Sequence, residues 1–393
     1  MQYRRFGQTE LQMPVLSCGG MRYQQSWEDL DPSEIDPKGQ ANLEETIHTA
    51  IAHGINHIET ARGYGTSEYQ LGHVLPSLPR DKIIVQTKIG PQDSEKEFLD
   101  VFEKSLSLLK LDHVDLLGVH GINNDELLAK TLTKGTLDAC RTLQKQGRAR
   151  HIGFSTHAPT PDLLMDAIAT GEFSYINLHW YYFDQRNWPA IEAATKQDMG
   201  VFIISPSDKG GKLYEPPAKL SELCRPLTPM GFNDLFCLSH PQVHTLSLGA
   251  SRPGDFDAHM AIIPDLANPR AHLAPIQERL ASALRDALGA DWADNWYRQL
   301  PSMVNAPEQL PVYHILRMYT LVKAYDMLDF GKMRYNLLGN ADHWFPGVKA
   351  GSFDEQQLID GLGDYPFADR VPDILRETHA LLNEADLKRA SES

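Results

Sequence analysis

Short apolar runs rich in β-branched residues alternate along the chain with longer stretches whose apolar positions recur every three or four residues. The runs begin at Val15 (VLSCGG), His57 (HIETA), Ile83 (IIVQTKI), Val114 (VDLLGVH), His151 (HIGFST), Tyr175 (YINLHWY), Gly200 (GVFIISP) and His244 (HTLSLGA), eight in all. Their length and Val/Ile content predict strands buried on both faces. Helix signals lie between them. Asn42, with Glu45 three places on, predicts a helix start; Leu43, Ile47, Ala50 and Ile51 share one face, and Gly54 suits the left-handed position that ends a helix. Ser94 and Glu97 form a second capping pattern ahead of Phe98, Phe102, Leu106 and Leu109. Leu137, Cys140 and Leu143 make a shorter stripe closed by Gly147.

Such alternation leaves a closed parallel barrel or an open doubly wound sheet. An open dinucleotide-binding sheet usually carries GxGxxG after its first strand, and the first run here continues as CGGMRYQ, without that spacing. Eight units predict an α/β fold of the (β/α)8 TIM-barrel type. After Ala250 the alternation stops. PDLANPRAHLAP (264–275) reads as a linker, and helical patterns follow over Pro275–Leu288, from Pro311 to about Leu338, and in a tail from about Phe353. Two domains are therefore expected: a barrel over 1–265 and an all-α C-terminal extension over 275–393. Ile315, Tyr319, Val322 and Tyr325 share a face of the second helical segment. The extension is rich in aromatics, among them Trp292, Trp296 and Trp344; they bury it against the barrel wall, or they form a lid or a subunit interface, so a homo-oligomer is possible.

Composition narrows the function classes. Of 393 residues, 42% are apolar and 23% charged, an ordinary globular balance. No stretch approaches the ~18 uninterrupted apolar residues of a membrane span, and MQYRRFGQTELQMP has no apolar core of a secretory signal. Four separated cysteines without a CxxC speak for a reducing cytoplasm and against a disulfide scaffold, a zinc ribbon or an iron–sulfur cluster. The formal charge of −15 speaks against nucleic acid and anionic membranes as partners.

A barrel of this kind does its chemistry at the C-terminal ends of its strands. Glu59, Tyr64, Lys88 and His120 fall there on consecutive units. A lysine ending IIVQTK is buried, which lowers its pKa unless a carboxylate such as Glu59 pairs with it. The ammonium is expected to lower the Tyr64 phenol, readying it to protonate a carbonyl oxygen while hydride reaches the carbon. His120 could orient that oxygen. Each residue alone has an ordinary structural explanation; four on adjacent strands do not. A second group suits an anion. SPSDKGGK (205–212) brings Ser205, Pro206, Ser207, Lys209, Gly210, Gly211 and Lys212 after the seventh run, and GASRPGD (249–255) brings Gly249, Ser251 and Arg252 after the eighth. No metal is expected: HExxH is absent, and although His151, His157 and His179 could be close in space, no His/Cys set has ligand spacing. No GxSxG elbow or P-loop appears.

These residues resemble the aldo-keto reductase family. IETARGYGTSEYQLG is similar to the family's mark after its second strand, and Thr87-Lys88, the histidine of DLLGVH, GRARHIGFST, SPSDKGG and LGASRPGDF follow in the family's order over about residues 1–262. The resemblance implies a TIM barrel that reduces an aldehyde or ketone with NADP(H), Tyr64 acting as general acid, Lys88 and His120 as its helpers, and Glu59 standing where the family has aspartate. It places Gly20 and Met21 among the cofactor-binding residues, Ser155, Thr156 and Asn177 where the nicotinamide carboxamide is held, and Ile204 where a stacking tyrosine is usual. Arg252 falls in the 2′-phosphate region, and Asp255 and His259 at positions that often touch adenine. MQYRRFGQTELQMP resembles the hairpin that plugs the barrel bottom. The last third looks like a bacterial branch with a helical extension, but RYNLLGNADHWFPG stands where relatives carry cluster-binding cysteines, so no cluster is expected. Two other functions fit the same residues: an NADP(H)-binding sensor or regulatory protein with weak or vestigial reductase activity, and a barrel lyase or isomerase using Lys88 as a Schiff base.

Overall fold

The computed structural model describes residues 1–301 and 309–388. They fall into two compact units, residues 1–210 with 233–267, and residues 211–232 with 268–393.

The first unit opens with an antiparallel hairpin of β1 (Tyr3–Arg5) and β2 (Gln12–Pro14). Eight parallel strands then close into a barrel: β3 (Leu16–Gly19), β4 (His57–Glu59), β5 (Ile84–Ile89), β6 (Val114–Val119), β7 (Ala149–Ser155), β8 (Tyr175–Leu178), β9 (Gly200–Ile203) and β10 (Thr245–Leu248). Each of these eight strands falls on one of the apolar runs, and β10 pairs with both β3 and β9 to close the ring. Phe6 and Met13, from the hairpin, pack with Ile84, Leu116, Tyr175 and Phe202, so the hairpin fills one end of the barrel with apolar side chains. Above this layer the interior turns polar: Ser17 Oγ lies 2.7 Å from His57 Nδ1 and 2.7 Å from Thr245 Oγ1. Tyr175 fits because β7 carries Gly153 opposite it, where a Cβ would sit 2.5 Å from the Tyr175 ring and 2.5 Å from its backbone oxygen.

The helix starts hold one correction and one half-met expectation. The helix Pro37–Ala52 is capped by Asp36, whose carboxylate accepts from the backbone N–H of Lys38 and Gly39, with Pro37 in the first turn. Asn42 is therefore not the cap; it lies inside the helix, its Nδ2 donating to Ser251 O at 2.7 Å. The first turn is largely solvent-facing, so the apolar periodicity begins after the helix does. Ser94 does cap Glu95–Leu109, accepting from Glu97 N at 3.2 Å, but the Glu97 carboxylate accepts from Asp93 N instead of closing the box.

The stretch 264–275 is not an unstructured linker. It forms a short 3-10 turn, Pro264–Ala267, and then the start of a helix, Pro269–Leu288, that contains Pro275. Proline at a first helical turn, as Pro269 is, costs nothing, and Pro275 gives up one backbone hydrogen bond. In the second unit the helices Ala290–Asn295, Val312–Tyr325, Leu328–Tyr335, Glu355–Leu362 and Val371–Leu382 follow. Its aromatics form a core of the unit's own: Trp292, Trp296, Tyr319, Tyr335, Tyr365 and Phe367 are buried among Ile315, Leu358 and Leu375. Residues 302–308 and 389–393 of the expected extension lie outside the described residues. Among the described residues no helix is long and apolar enough to cross a membrane.

The close approach at Gly153 sets a test of the packing. Gly153→Ala forces the new methyl into a ring and a backbone oxygen that cannot both yield, and should destabilise the fold by about 1–3 kcal/mol. A urea midpoint unchanged from wild type would show that β7 and β8 are not packed this way.

Candidate active site

The strand register brings the candidate residues to one rim. Glu59 ends β4, beside Gly19 on one side and Gln86 on the other. Lys88 lies on β5 opposite Gly118 of β6, and Ser155 at the end of β7 opposite Asn177 of β8. Gly118, which carried no signal in the sequence, makes room for the lysine stem: a Cβ there would lie 2.9 Å from Lys88 Cγ.

Lys88 is 2% exposed and Glu59 3% exposed, and their charged ends form an ion pair. Lys88 Nζ also donates to Thr60 O at 2.7 Å and lies 4.7 Å from the centroid of the Tyr64 ring. Burial pulls the lysine pKa well below its ordinary value. The Glu59 carboxylate and the Thr60 carbonyl are what favour its charged form. His57, beneath them inside the barrel, is held neutral, its pKa pushed to about 3 by burial and then by the Lys88 charge.

Tyr64 lies in the turn after β4. Its ring meets His120 edge-on at 5.7 Å between centroids and Trp27 edge-on at 6.2 Å. The expectation of an acidified phenol is corrected here. Burial raises the Tyr64 pKa above its ordinary value, and the neighbouring ammonium, already paired with Glu59, does not reverse that. A raised phenol is fully protonated at neutral pH, the state a proton donor needs. Trp27 was missed from the sequence, because a single tryptophan in a long polar loop carries no periodic signal.

Ser155 and Thr156 are nearly buried and engaged, Ser155 Oγ accepting from Gly121 N at 3.1 Å and Thr156 Oγ1 from Ala158 N at 2.9 Å. Asn177 is fully buried, yet among the described residues neither its Oδ1 nor its Nδ2 has a hydrogen-bond partner. A buried amide left in this state costs free energy unless something with both a donor and an acceptor meets it. Gly20 follows β3 directly and packs so closely that a Cβ would lie 2.6 Å from Glu59 O; Met21 is next along the chain and half-buried.

The proposed anion-binding residues are divided. Ser205 takes a left-handed conformation and its carbonyl accepts from Lys209 N at 3.0 Å, while Pro206 O accepts from Asn233 Nδ2 at 3.2 Å. This folds 205–210 into a tight turn in which a Cβ at Gly210 would strike Pro206 O. Ser207 is half-buried in it. The Lys209 ammonium lies 2.9 Å from His157 Nδ1, His157 also contacts His179, and His179 contacts Tyr181. Asp208 pairs with Arg22 of the loop after β3 at 3.2 Å. Gly211 and Lys212 belong to the second unit, where Lys212 pairs with Glu215 at 2.7 Å. After β10, Gly249 is exposed; Ser251 N and Oγ donate to Asp255 at 2.9 and 2.8 Å, and Arg252 Nε donates to the same carboxylate at 2.9 Å. The Arg252 side chain remains 76% exposed. His259 is buried against Asp234, with 2.5 Å between Nδ1 and Oδ2. His157 and His179 do come together, with ring centroids 4.6 Å apart, but among the described residues no group of three His, Cys, Asp or Glu could hold a metal ion.

The family model for the aldo/keto reductase family matches residues 15–210, the stretch that carries all four rim residues. The chain belongs to the aldo/keto reductase family. This aldo/keto reductase is 29% identical over 217 residues to L-galactose dehydrogenase of Arabidopsis thaliana, covering 51% of this chain and 67% of that protein. It is 29% identical over 158 residues to glyoxal reductase of Bacillus subtilis, covering 39% and 54%. To L-glyceraldehyde 3-phosphate reductase of Escherichia coli it is 26% identical over 179 residues, covering 40% and 46%. The chain thus spans about half to two thirds of the length of these relatives. Among solved structures it superposes on an aldo-keto reductase of Bacillus halodurans in its holo form, with a TM-score of 0.58, 20% identity and coverage of 71% of this chain and 96% of that one. A Klebsiella pneumoniae aldo-keto reductase in complex with NADPH gives 0.53 and 18%, over 69% and 95%. At those identities the likeness is one of fold.

Removing the carboxylate tests the ion pair directly. Glu59→Gln leaves a buried ammonium without its counter-charge and should lower stability at pH 7 by about 3–5 kcal/mol. In that variant the unfolded chain binds a proton at Lys88 that the folded chain holds weakly. Stability should therefore rise with pH between the lowered folded pKa and the ordinary lysine value. Urea unfolding at neutral and alkaline pH reads this; a deficit that grows as pH rises would contradict it.

Proposed function

We propose that the protein is an oxidoreductase that reduces an aldehyde or ketone to an alcohol at the expense of NADPH, with Tyr64 as the proton donor. The observation that carries this reading is the Lys88 ammonium set against the Tyr64 ring and held there by Glu59 and Thr60 O. The names of the relatives, two reductases and a dehydrogenase of small carbonyl or sugar compounds, support the same class of reaction.

The chain's residues fit a nicotinamide cofactor. The unpartnered buried amide of Asn177 matches a planar carboxamide, which offers one carbonyl and one amino group. Ser155 and Thr156 flank it at the same rim, and Ile204 supplies an apolar edge there. When bound, the cofactor supplies hydride to the substrate carbon. Tyr64, kept protonated by burial, passes its hydroxyl proton to the carbonyl oxygen. The Lys88 ammonium then stabilises the phenolate left behind, a charge that develops only as the reaction proceeds. His120, beside Tyr64, orients the oxygen. Lys88 itself is committed to Glu59 and Thr60 O, an arrangement that favours a charged electrostatic helper over a neutral Schiff-base nucleophile. The exposed guanidinium of Arg252 supports a preference for the 2′-phosphate of NADPH.

Tyr64→Phe should cut carbonyl reduction, followed by loss of reduced-nicotinamide absorbance, by about 10²–10⁴-fold. Cofactor titration by tryptophan fluorescence should be unchanged, separating lost chemistry from lost binding. A phenylalanine variant that reduces carbonyls at near wild-type rate would remove Tyr64 from the role. Arg252→Ala should weaken NADPH by about tenfold or more, the worth of a charged hydrogen bond, and leave NADH unaffected. Equal weakening of both would place Arg252 away from the 2′-phosphate.

A further inference from the structure

The segment between β3 and the helix Pro37–Ala52, residues 20–36, is long for a strand-to-helix connection. Its backbone hooks onto the turn that carries Tyr64: Gln25 N and Ser26 N both donate to Thr66 Oγ1 at 3.1 Å, and Thr66 N donates to Ser26 O at 3.1 Å. Gly65, with φ of +51°, allows this contact, since a Cβ there would lie 2.1 Å from Ser26 O. Trp27 comes next and stands edge-on to Tyr64. Two residues further, the Asp29 carboxylate pairs with both Arg62 and Lys104.

We propose that Asp29 is a positioning residue: by bridging Arg62 and Lys104 it latches the loop 20–36 onto the barrel rim and holds Trp27 against Tyr64. The effect on substrate rests on the reductase reading; the latch itself does not.

The two cations are unlike. Arg62 is fixed from below, bonding the fully buried Glu68 at 2.8 Å, and the other Glu68 oxygen accepts from Thr87 Oγ1, next to Lys88, at 2.6 Å. Lys104 projects from the helix Glu95–Leu109 and is half-exposed. The loop's own contribution is Asp29, 42% exposed. Partial desolvation pushes its carboxyl up, but Lys104 and Arg62 outweigh this and hold it below the usual carboxylate range. A single exposed ion pair contributes little because two flexible side chains must be ordered. Here one partner is already ordered by a buried carboxylate, and one acid serves two bases. Because Asp29 is open to solvent, salt should weaken the latch. An unlatched loop takes Trp27 off Tyr64 and reduces the fraction of molecules ready to bind, which raises the apparent dissociation constant in proportion. Saturating substrate restores the closed form, so the maximal rate should hold.

The test compares the full chain with Asp29→Asn, Asp29→Glu and Lys104→Gln. Hydrogen exchange of the loop peptides, measured without substrate, should quicken about fivefold or more in Asp29→Asn and partly in Lys104→Gln. Exchange in the barrel strands should stay at the wild-type level. Added sodium chloride should move the wild type toward the variant, and Asp29→Glu should restore protection. In the carbonyl-reduction assay, KM should rise about five- to tenfold in Asp29→Asn with kcat within about twofold of wild type. Loop exchange unchanged by Asp29→Asn overturns the latch. Faster exchange with unchanged KM, or a loss in kcat alone, overturns the positioning role. A wild type that reduces no carbonyl defeats the reductase reading instead, and the exchange data then decide the latch by themselves.

Discussion

An ammonium buried in a protein interior is unstable as a charge unless something nearby holds it, and the active rim is arranged around that requirement. Lys88 projects inward from a strand that is buried along its whole length. Its charge is met by Glu59 from the neighbouring strand and by the carbonyl of Thr60, with the face of Tyr64 alongside. The surroundings reinforce this. Gly118 leaves space for the lysine stem, and His57, the nearest imidazole below, is kept neutral so that no second cation competes. The glutamate, one methylene longer than aspartate, still reaches the lysine. The parallel register sets Glu59, at the end of β4, beside Gln86 of β5, two residues before Lys88, so the glutamate side chain and the lysine stem together span that offset to meet.

The tyrosine shows how two opposing influences combine. A nearby cation favours the phenolate, and burial disfavours it. With the Lys88 charge already answered by Glu59, burial wins and the phenol stays protonated. Under the proposed reductase function, in which Tyr64 gives up a proton, this is the useful order of events. In that proposal the attraction between Lys88 and the oxygen comes into play only once negative charge appears there, so it would act on the transition state more than on the resting protein.

Much of the fold was legible in the sequence because a parallel barrel writes the same pattern eight times. Each buried strand shows as an apolar run, and the polar residues toward the end of the run fall at the rim, which is why Glu59, Lys88, His120 and Ser155 could be placed by position. The misplaced features share a cause: they depend on local geometry that periodicity does not report. The Asp36 cap precedes the first apolar residue of its helix by several positions, and the prolines of 264–275 read as breaks although Pro269 sits where a helix tolerates one. Trp27, Arg22 and Asp29 lie in a loop without repeat, and their roles follow only from what the folded chain brings beside them. His259 is the reverse case. Its position was legible, but the Asp234 that faces it lies 25 residues away on another helix.

The side of the rim expected to meet a dinucleotide shows how a chain of charge −15 can still present cations to an anion. Each basic group there has a partner: Arg22 with Asp208, Lys209 with His157, Arg252 with Asp255. These contacts fix the side chains in place and limit their repulsion, so binding a phosphate becomes an exchange of partners and not the neutralisation of bare charge. Affinity is then the difference between two sets of hydrogen bonds, and it depends on how well each internal partner can be left behind. Asp255 illustrates the point. It accepts from Ser251 N and Oγ as well as from Arg252, so it keeps two donors if the guanidinium turns away. An acid satisfied in that way can release its arginine at small cost, whereas one bonded to the arginine alone could not.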